Sequence, residues 1–215
     1  MGRGVASVTR RSGARDQGEK SFDIALHSGP NHSKVMKRYI LTGVPGAGKT
    51  TILSELARFG FATVSEAATD AIADLHAKGI AEPWTRPSFI DDIVGIQRQR
   101  VAACKADIQF HDRSAFCTLA LAEYLDFSPS ANVLREVDRL LKDKTFQACV
   151  YFIANLGFVT ATEARRITFE ESLRFEEIHR EIYRRYGFEL LEIPAAPLND
   201  RVEIILDHSV RGLRD

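Results

Sequence analysis

From residue 38 onward, short apolar runs alternate with longer stretches of helical period. Residues 38–42 predict a first strand that runs into a glycine-rich turn, and 50–59 follow with Ile52, Leu53 and Leu56 on one helical face. Gly60 stops that helix, 61–64 predict a second strand, and a helix over 66–78 ends at Gly79. Pro83, Trp84 and Pro87 make 80–87 a loop. A long helix is expected over 88–106, with Ile90, Val94, Gln97, Val101 and Cys104 near one face. Strand three is 108–112, helices follow at 116–125 and 131–141, and strand four is 148–153. Thr168 with Glu171 three residues later has capping-box spacing and starts a helix that ends near Tyr186-Gly187. Strand five is 189–193, and 200–210 form a final helix. Five strands alternating with helices predict a three-layer α/β fold with a five-stranded, mainly parallel sheet, because parallel neighbours require crossover connections.

Composition narrows the partners. Across 215 residues, 29 Lys plus Arg balance 29 Asp plus Glu, which removes the global electrostatic argument for a nucleic-acid or membrane-surface protein. No nucleic-acid partner is expected, and any anionic ligand needs a local site. No apolar run approaches the ~20 residues of a membrane span. Cys104, Cys117 and Cys149 are far apart and show no metal spacing, so a soluble, cytoplasmic chain is expected. Residues 1–35 are rich in Gly, Ser and Arg without a sustained apolar period, and read as a disordered basic tail. Residues 36–215 then form the functional domain, with Met36 the expected natural start.

The strongest signal is Gly43-Val44-Pro45-Gly46-Ala47-Gly48-Lys49-Thr50, which matches G-x-x-x-x-G-K-[ST] at every fixed position between a strand and a helix. Gly43, Gly46, Ala47 and Gly48 let backbone N–H groups turn around a polyphosphate, and the helix N-terminus adds positive potential. Lys49 bridges the β- and γ-phosphates in this reading, Thr50 places its hydroxyl on Mg²⁺, and Thr51 lies near the α-phosphate. The pattern establishes nucleotide binding and leaves its use open.

Strand three ends His111-Asp112-Arg113-Ser114, with no acidic residue after Asp112, which argues against an oligomeric motor ATPase. An Asn-Lys-x-Asp sequence is absent, which argues against a switch GTPase. A carboxylate at Asp112 stands where it can hold Mg²⁺ directly or through water; the competing reading is a loop acid capping the next helix. Arg113 suits bidentate contacts in an acceptor cleft, or else a surface ion pair.

The P-loop, Val64-Ser65-Glu66-Ala67-Ala68, the segment 89–97, Asp112-Arg113-Ser114 and Arg165-Arg166 together resemble the NadR-like family. These are small AAA-type P-loop ATPases related to ribosylnicotinamide and deoxynucleoside kinases. The resemblance spans 38–210 and implies a P-loop fold of the nucleoside and nucleotide kinase kind with a lid segment. It implies that Glu66 is the general base or hydrogen-bond acceptor for the acceptor hydroxyl; a first-turn helix acid is the alternative. Many relatives carry Arg three residues later, where this chain has Thr69. It also implies that Gln97 reads the acceptor's base edge, against a plain backbone hydrogen bond. Trp84 and Phe89 are candidates for walling the same pocket. In the lid at 160–166, Arg166 is the first choice to neutralise the transferring phosphoryl group, with Arg165 beside it. Arg180, Arg184 and Arg185 belong to a solvated, salt-bridged face instead.

The expected activity is therefore ATP- and Mg²⁺-dependent phosphoryl transfer to a small nucleoside- or nucleotide-like acceptor. Lys49, Glu66, Asp112, Arg113 and Arg166 carry the chemistry, and Glu66, Gln97 and Arg113 hold the acceptor. The alternative is a nucleotide-binding regulatory module with slow hydrolysis and a protein or lipid partner. The acceptor's identity, the choice between ATP and GTP, and the oligomeric state are not legible in the sequence.

Overall fold

The computed structural model describes residues 36–156 and 168–210. The basic tail and the 160–166 segment with Arg165 and Arg166 lie outside the described residues. The strands are β1 (Lys37–Thr42), β2 (Ala62–Val64), β3 (Ile108–Asp112), β4 (Cys149–Ile153) and β5 (Glu189–Ile193). The helices are α1 (Lys49–Arg58), α2 (Ala68–Ala77), α3 (Ser88–Ala103), α4 (Ala115–Tyr124), α5 (Ala131–Lys142), α6 (Phe169–Arg185) and α7 (Leu198–Ser209). A single 3₁₀ turn, Pro83–Thr85, interrupts the expected loop between α2 and α3.

All strands are parallel, in the order β2-β3-β1-β4-β5. The alternation of side chains along a strand divides the core in two. Ile40 faces one cluster with Phe116, Val137, Val150 and Ile182, built on α3 to α6. Tyr39 and Leu41 face the other, with Ile52, Leu56, Ile205 and Leu206 from α1 and α7. This is the three-layer arrangement that the sequence predicts. Ala67, Ala71, Phe89 and Ile93 make a smaller cluster between α2 and α3.

Helix α4 is buried on nearly every side, from Ala115 through Ala120. Helix α6 is the opposite case: its exposed positions are charged apart from Phe169 and Leu173 in its first two turns, and its buried stripe is Ser172, Phe175, His179, Ile182 and Tyr183. Its start carries both bonds of the capping box, Glu171 N–H to Thr168 Oγ1 at 3.1 Å and Thr168 N–H to Glu171 Oε2 at 2.7 Å. Of the arginines expected on a solvated, paired face, Arg184 and Arg185 are exposed and pair with Glu177 and Glu123, whereas Arg180 is largely buried: it pairs with Glu176 and Glu192 and lies over the Phe152 ring, because it docks against the sheet at β4 and β5.

Central β1 lies between β3 and β4, so the loop after it sits at the carboxyl edge of the sheet beside the ends of both neighbours. In open parallel sheets, ligands bind at this kind of position.

Candidate active site

Three glycines of the loop after β1, Gly43, Gly46 and Gly48, have positive φ. Gly43 has φ +127°, and a Cβ there would lie 2.4 Å from the backbone oxygen of Ile153 on β4. Gly48, the residue preceding α1, has φ +87° and makes no side-chain cap, and the first turn of α1 holds no acid. The positive end of α1 is therefore left for an anion rather than neutralised internally. Lys49 folds across the loop and is buried, its Nζ donating to the carbonyls of Gly43 at 3.0 Å and Val44 at 2.9 Å. Burial pulls its ammonium down to about 8, Arg113 adding to the effect while Asp112 and Glu66 oppose it.

Strand register explains the remaining polar groups. Leu41 pairs with Asp112, which sets that carboxylate beside the end of β1. Thr50 Oγ1 donates to Asp112 Oδ2 at 3.4 Å, and Oδ1 is buried with no hydrogen-bond partner among the described residues. Burial raises the Asp112 carboxyl above its usual range, an effect that Lys49 and Arg113 partly offset. A carboxylate oxygen left unpaired beside a threonine hydroxyl is a donor set suited to a hard cation such as Mg²⁺. That ion keeps several waters and takes only one or two protein oxygens beside phosphates. No group of three or more His, Cys, Asp or Glu able to hold a metal occurs among the described residues. Asp112 closes β3, and the residue preceding α4 is Ser114, so Asp112 does not cap that helix.

Val64 pairs with His111, so Glu66 and Arg113, each two residues further along, emerge level with one another. Arg113 Nε donates to Glu66 Oε1 at 2.6 Å, and Thr69 Oγ1 donates to Glu66 Oε2 at 3.1 Å. Burial pushes the Glu66 carboxyl up, but the Arg113 and Lys49 cations outweigh it and hold it below the usual range. Burial likewise opposes the charge on Arg113, and the pairing with Glu66 prevails, so its pKa is raised. Helix α2 starts at Ala68, so Glu66 precedes the helix rather than sitting in its first turn. The Arg113 side chain is only 10% exposed, which removes the reading of a surface ion pair.

These groups line one end of a cavity of ≈ 610 Å³ that runs from the phosphate loop to a chamber walled by Ile72, Trp84, Phe89, Ile93, Leu121 and Phe175. Trp84 and Phe89 therefore do share the wall. Gln97 opens into the chamber, and its Oε1 accepts from Thr118 Oγ1 at 3.0 Å. Its partner is a neighbouring side chain, and its amide NH₂ is left on the donor side. Among the described residues, the charged groups lining the cavity are Lys49, Glu66, Asp112 and Arg113, all at the phosphate end.

Three residues that support this site were missed at the level of sequence. His179 reaches Arg113, with Nε2 3.2 Å from Nη1. Tyr183, one turn further along α6, places its hydroxyl 3.0 Å from both Ser114 Oγ and Cys117 Sγ. Arg201 on α7 is buried, donates from Nη1 to the Ala47 carbonyl at 3.0 Å, and occupies the space a Cβ on Gly48 would fill. The available signal for His179 and Tyr183 was their place on the apolar stripe of a charged helix. Arg201 had none.

The same fold occurs in kinases of several specificities. Deoxyadenosine kinase from M. mycoides with bound dCTP superimposes with a TM-score of 0.57 at 17% identity, covering 80% of this chain and 98% of that one. Shikimate kinase from Acinetobacter baumannii in complex with shikimate gives 0.53 at 12%, covering 85% and 97%. The NadR protein in complex with NR gives 0.55 at 15%, covering 81% of this chain and 51% of that one. No curated protein sequence matches significantly. The AAA domain profile matches residues 38–201, most of the chain, and with the phosphate loop at the start of that span the chain belongs to the AAA domain family, sharing its fold with NadR and the deoxynucleoside kinases.

Proposed function

We propose that this protein is an ATP-dependent kinase that transfers the γ-phosphoryl group to a hydroxyl of a small, uncharged, flat acceptor of nucleoside type. The observation that carries this reading is the continuity of one cavity from the phosphate loop, past the Glu66–Arg113 pair, into an apolar and aromatic chamber. A phosphate-binding loop serving hydrolysis alone has no use for such a chamber. The lack of charge at its far end, among the described residues, fits a nucleoside better than an acceptor bearing a distal phosphate or carboxylate, which would need a cation there.

In this reading Gly46, Ala47, Gly48, Lys49, Thr50 and Thr51 hold the polyphosphate, and Thr50 and Asp112 hold Mg²⁺. When bound, that ion neutralises charge on the β- and γ-phosphates. Aromatic and aliphatic side chains sandwich the acceptor, and the Gln97 NH₂ selects an acceptor atom on its edge. The acceptor hydroxyl oxygen bonds to the γ-phosphorus while the bridging oxygen leaves with ADP, and the hydroxyl proton passes to the Glu66 carboxylate. Arg113 makes Glu66 a weak base. That suits a loose transition state, in which the hydroxyl keeps its proton until late and needs orientation more than basicity.

The test is ADP production with ATP and Mg²⁺ over a panel of nucleosides and small sugars. Stimulation at least tenfold above the acceptor-free rate by a nucleoside is expected, and the loss of that stimulation in Glu66→Gln with ATP binding retained. A panel that never exceeds the acceptor-free rate, together with slow hydrolysis unchanged in Glu66→Gln, would overturn the reading in favour of a regulatory nucleotide-binding module.

A further inference from the structure

His179 is fully buried on α6, a helix otherwise studded with charges. Its Nδ1 lies 2.8 Å from the carbonyl oxygen of Phe175 one turn earlier. A carbonyl only accepts, so Nδ1 carries the ring proton and Nε2 presents a lone pair. That lone pair faces Arg113 Nη1 at 3.2 Å, and a guanidinium only donates. The tautomer is thus set by the helix backbone, and the direction of both bonds follows. Phe175, whose ring packs edge-on against His179 at 4.3 Å, is itself part of the chamber wall.

Arg113 is consequently gripped from two sides. Its backbone is in the left-handed region, φ +70°, unusual for a residue other than glycine, and its N–H donates to the Leu41 carbonyl at 3.0 Å. Glu66 takes Nε–H and His179 takes one N–H of Nη1, so two of the five guanidinium donors are committed and the plane is fixed. Lys49, Arg113, Glu66 and Asp112 sum to zero formal charge at the phosphate end. A carboxylate in the place of His179 would turn that sum negative and repel a polyphosphate. A neutral acceptor fixes the guanidinium without cancelling its charge.

We propose that His179 is a positioning residue for phosphoryl transfer: from α6 it holds Arg113 in the orientation that presents the remaining guanidinium donors to the acceptor and the transferring group. Burial and the facing Arg113 cation keep the ring neutral, in accord with this geometry. The assignment rests on the kinase reading above, and its test separates the two.

His179→Phe keeps a buried ring and removes the acceptor; His179→Gln restores an acceptor oxygen at similar reach. With the nucleoside that stimulates the wild type, kcat/KM for the acceptor should fall about 10-fold to 100-fold in His179→Phe, the size of one hydrogen bond to a charged group. The KM for ATP should stay unchanged, and His179→Gln should recover most of the loss. The ¹⁵N–¹H signal of the Arg113 Nε–H, read in the full chain without any substrate, should shift in His179→Phe and return towards its wild-type position in His179→Gln. An Arg113 signal unmoved by either substitution overturns the assignment, as does a loss shared equally by ATP and acceptor that glutamine does not rescue. If His179→Phe fails to fold, His179→Leu, which also removes the acceptor, takes its place in both readouts against the same glutamine control. A moved signal in a protein that phosphorylates no acceptor overturns the kinase reading and, with it, the positioning role in phosphoryl transfer, while upholding the bond.

Discussion

Glu66 Oε1 accepts from Arg113 Nε at 2.6 Å, joining the residues just past β2 and β3 across the mouth of the acceptor cavity. Each residue sets the other's charge: the guanidinium keeps the carboxyl low, and the carboxylate keeps the guanidinium raised. Their effects on turnover should therefore not add. In a cycle of Glu66→Gln, Arg113→Met and the double variant, the double should be no slower than the worse single in acceptor-dependent kcat/KM. Losses that multiply would show independent roles. Because the Glu66 side chain is 32% exposed, breaking the pair should lower stability by only about 1–2 kcal/mol, less than for a fully buried pair, as read by urea unfolding.

The phosphate loop separates two kinds of glycine. Gly43→Ala would drive a Cβ into the Ile153 carbonyl as well as impose a strained φ, whereas a Cβ on Gly46 meets nothing within 4 Å. Gly43→Ala should destabilise the fold by about 3 kcal/mol or more, and Gly46→Ala by roughly 1 kcal/mol, the backbone term alone. Thermal unfolding of both variants checks this, and equal shifts would count against the close approach of β4.

Arg201 tethers the loop from outside the cavity, through the Ala47 carbonyl, and its Nε is buried without a partner among the described residues. Replacing it with Met removes an incompletely satisfied buried cation, so stability should change by less than about 1–2 kcal/mol. The Ala47 carbonyl would lose its anchor and the loop its preorganisation, so ATP affinity should weaken roughly 3-fold to 10-fold, about one hydrogen bond. Calorimetric titration of ATP measures it; unchanged affinity with a large loss of stability would make Arg201 a packing residue only.

His179 also makes a pH prediction. Burial first and the Arg113 cation second hold its ring down to about 3 from an ordinary 6.5. Between these values the unfolded chain binds a proton that the folded chain refuses. Its contribution to stability is thus fully present above pH 6.5 and is lost progressively as pH falls towards 3. The charged groups acting on it, Arg113 and Lys49, remain cationic throughout this window, so neither reverses the sign. Unfolding free energy should drop more steeply from pH 7 to pH 5 in the wild type than in His179→Gln; equal slopes would sink the prediction.

Much of this was legible locally. The glycine pattern at 43–48 specifies its turn because backbone freedom at a residue is a property of that residue. The capping box at Thr168 and Glu171 and the five apolar strand runs are likewise contiguous signals, and all appear in the fold. Helix ends were less legible: α7 begins at Leu198, immediately after Pro197, and α2 begins after Glu66, because loop hydrogen bonds compete with helical ones at such ends. Gln97 was recognised as a polar group on an apolar stripe, but its partner Thr118 comes from a different helix.

What the sequence alone determined is a phosphate loop between strand and helix in a parallel α/β chain, and the residue types that chemistry would need. Only the tertiary structure decided which of them meet. Glu66 and Arg113 are 47 residues apart, Arg113 and His179 are 66 apart, and Ala47 and Arg201 are 154 apart. Those pairings depend on strand register and on which face of α6 and α7 docks on the sheet. Both are outcomes of the whole core's packing, and no local run of residues encodes them.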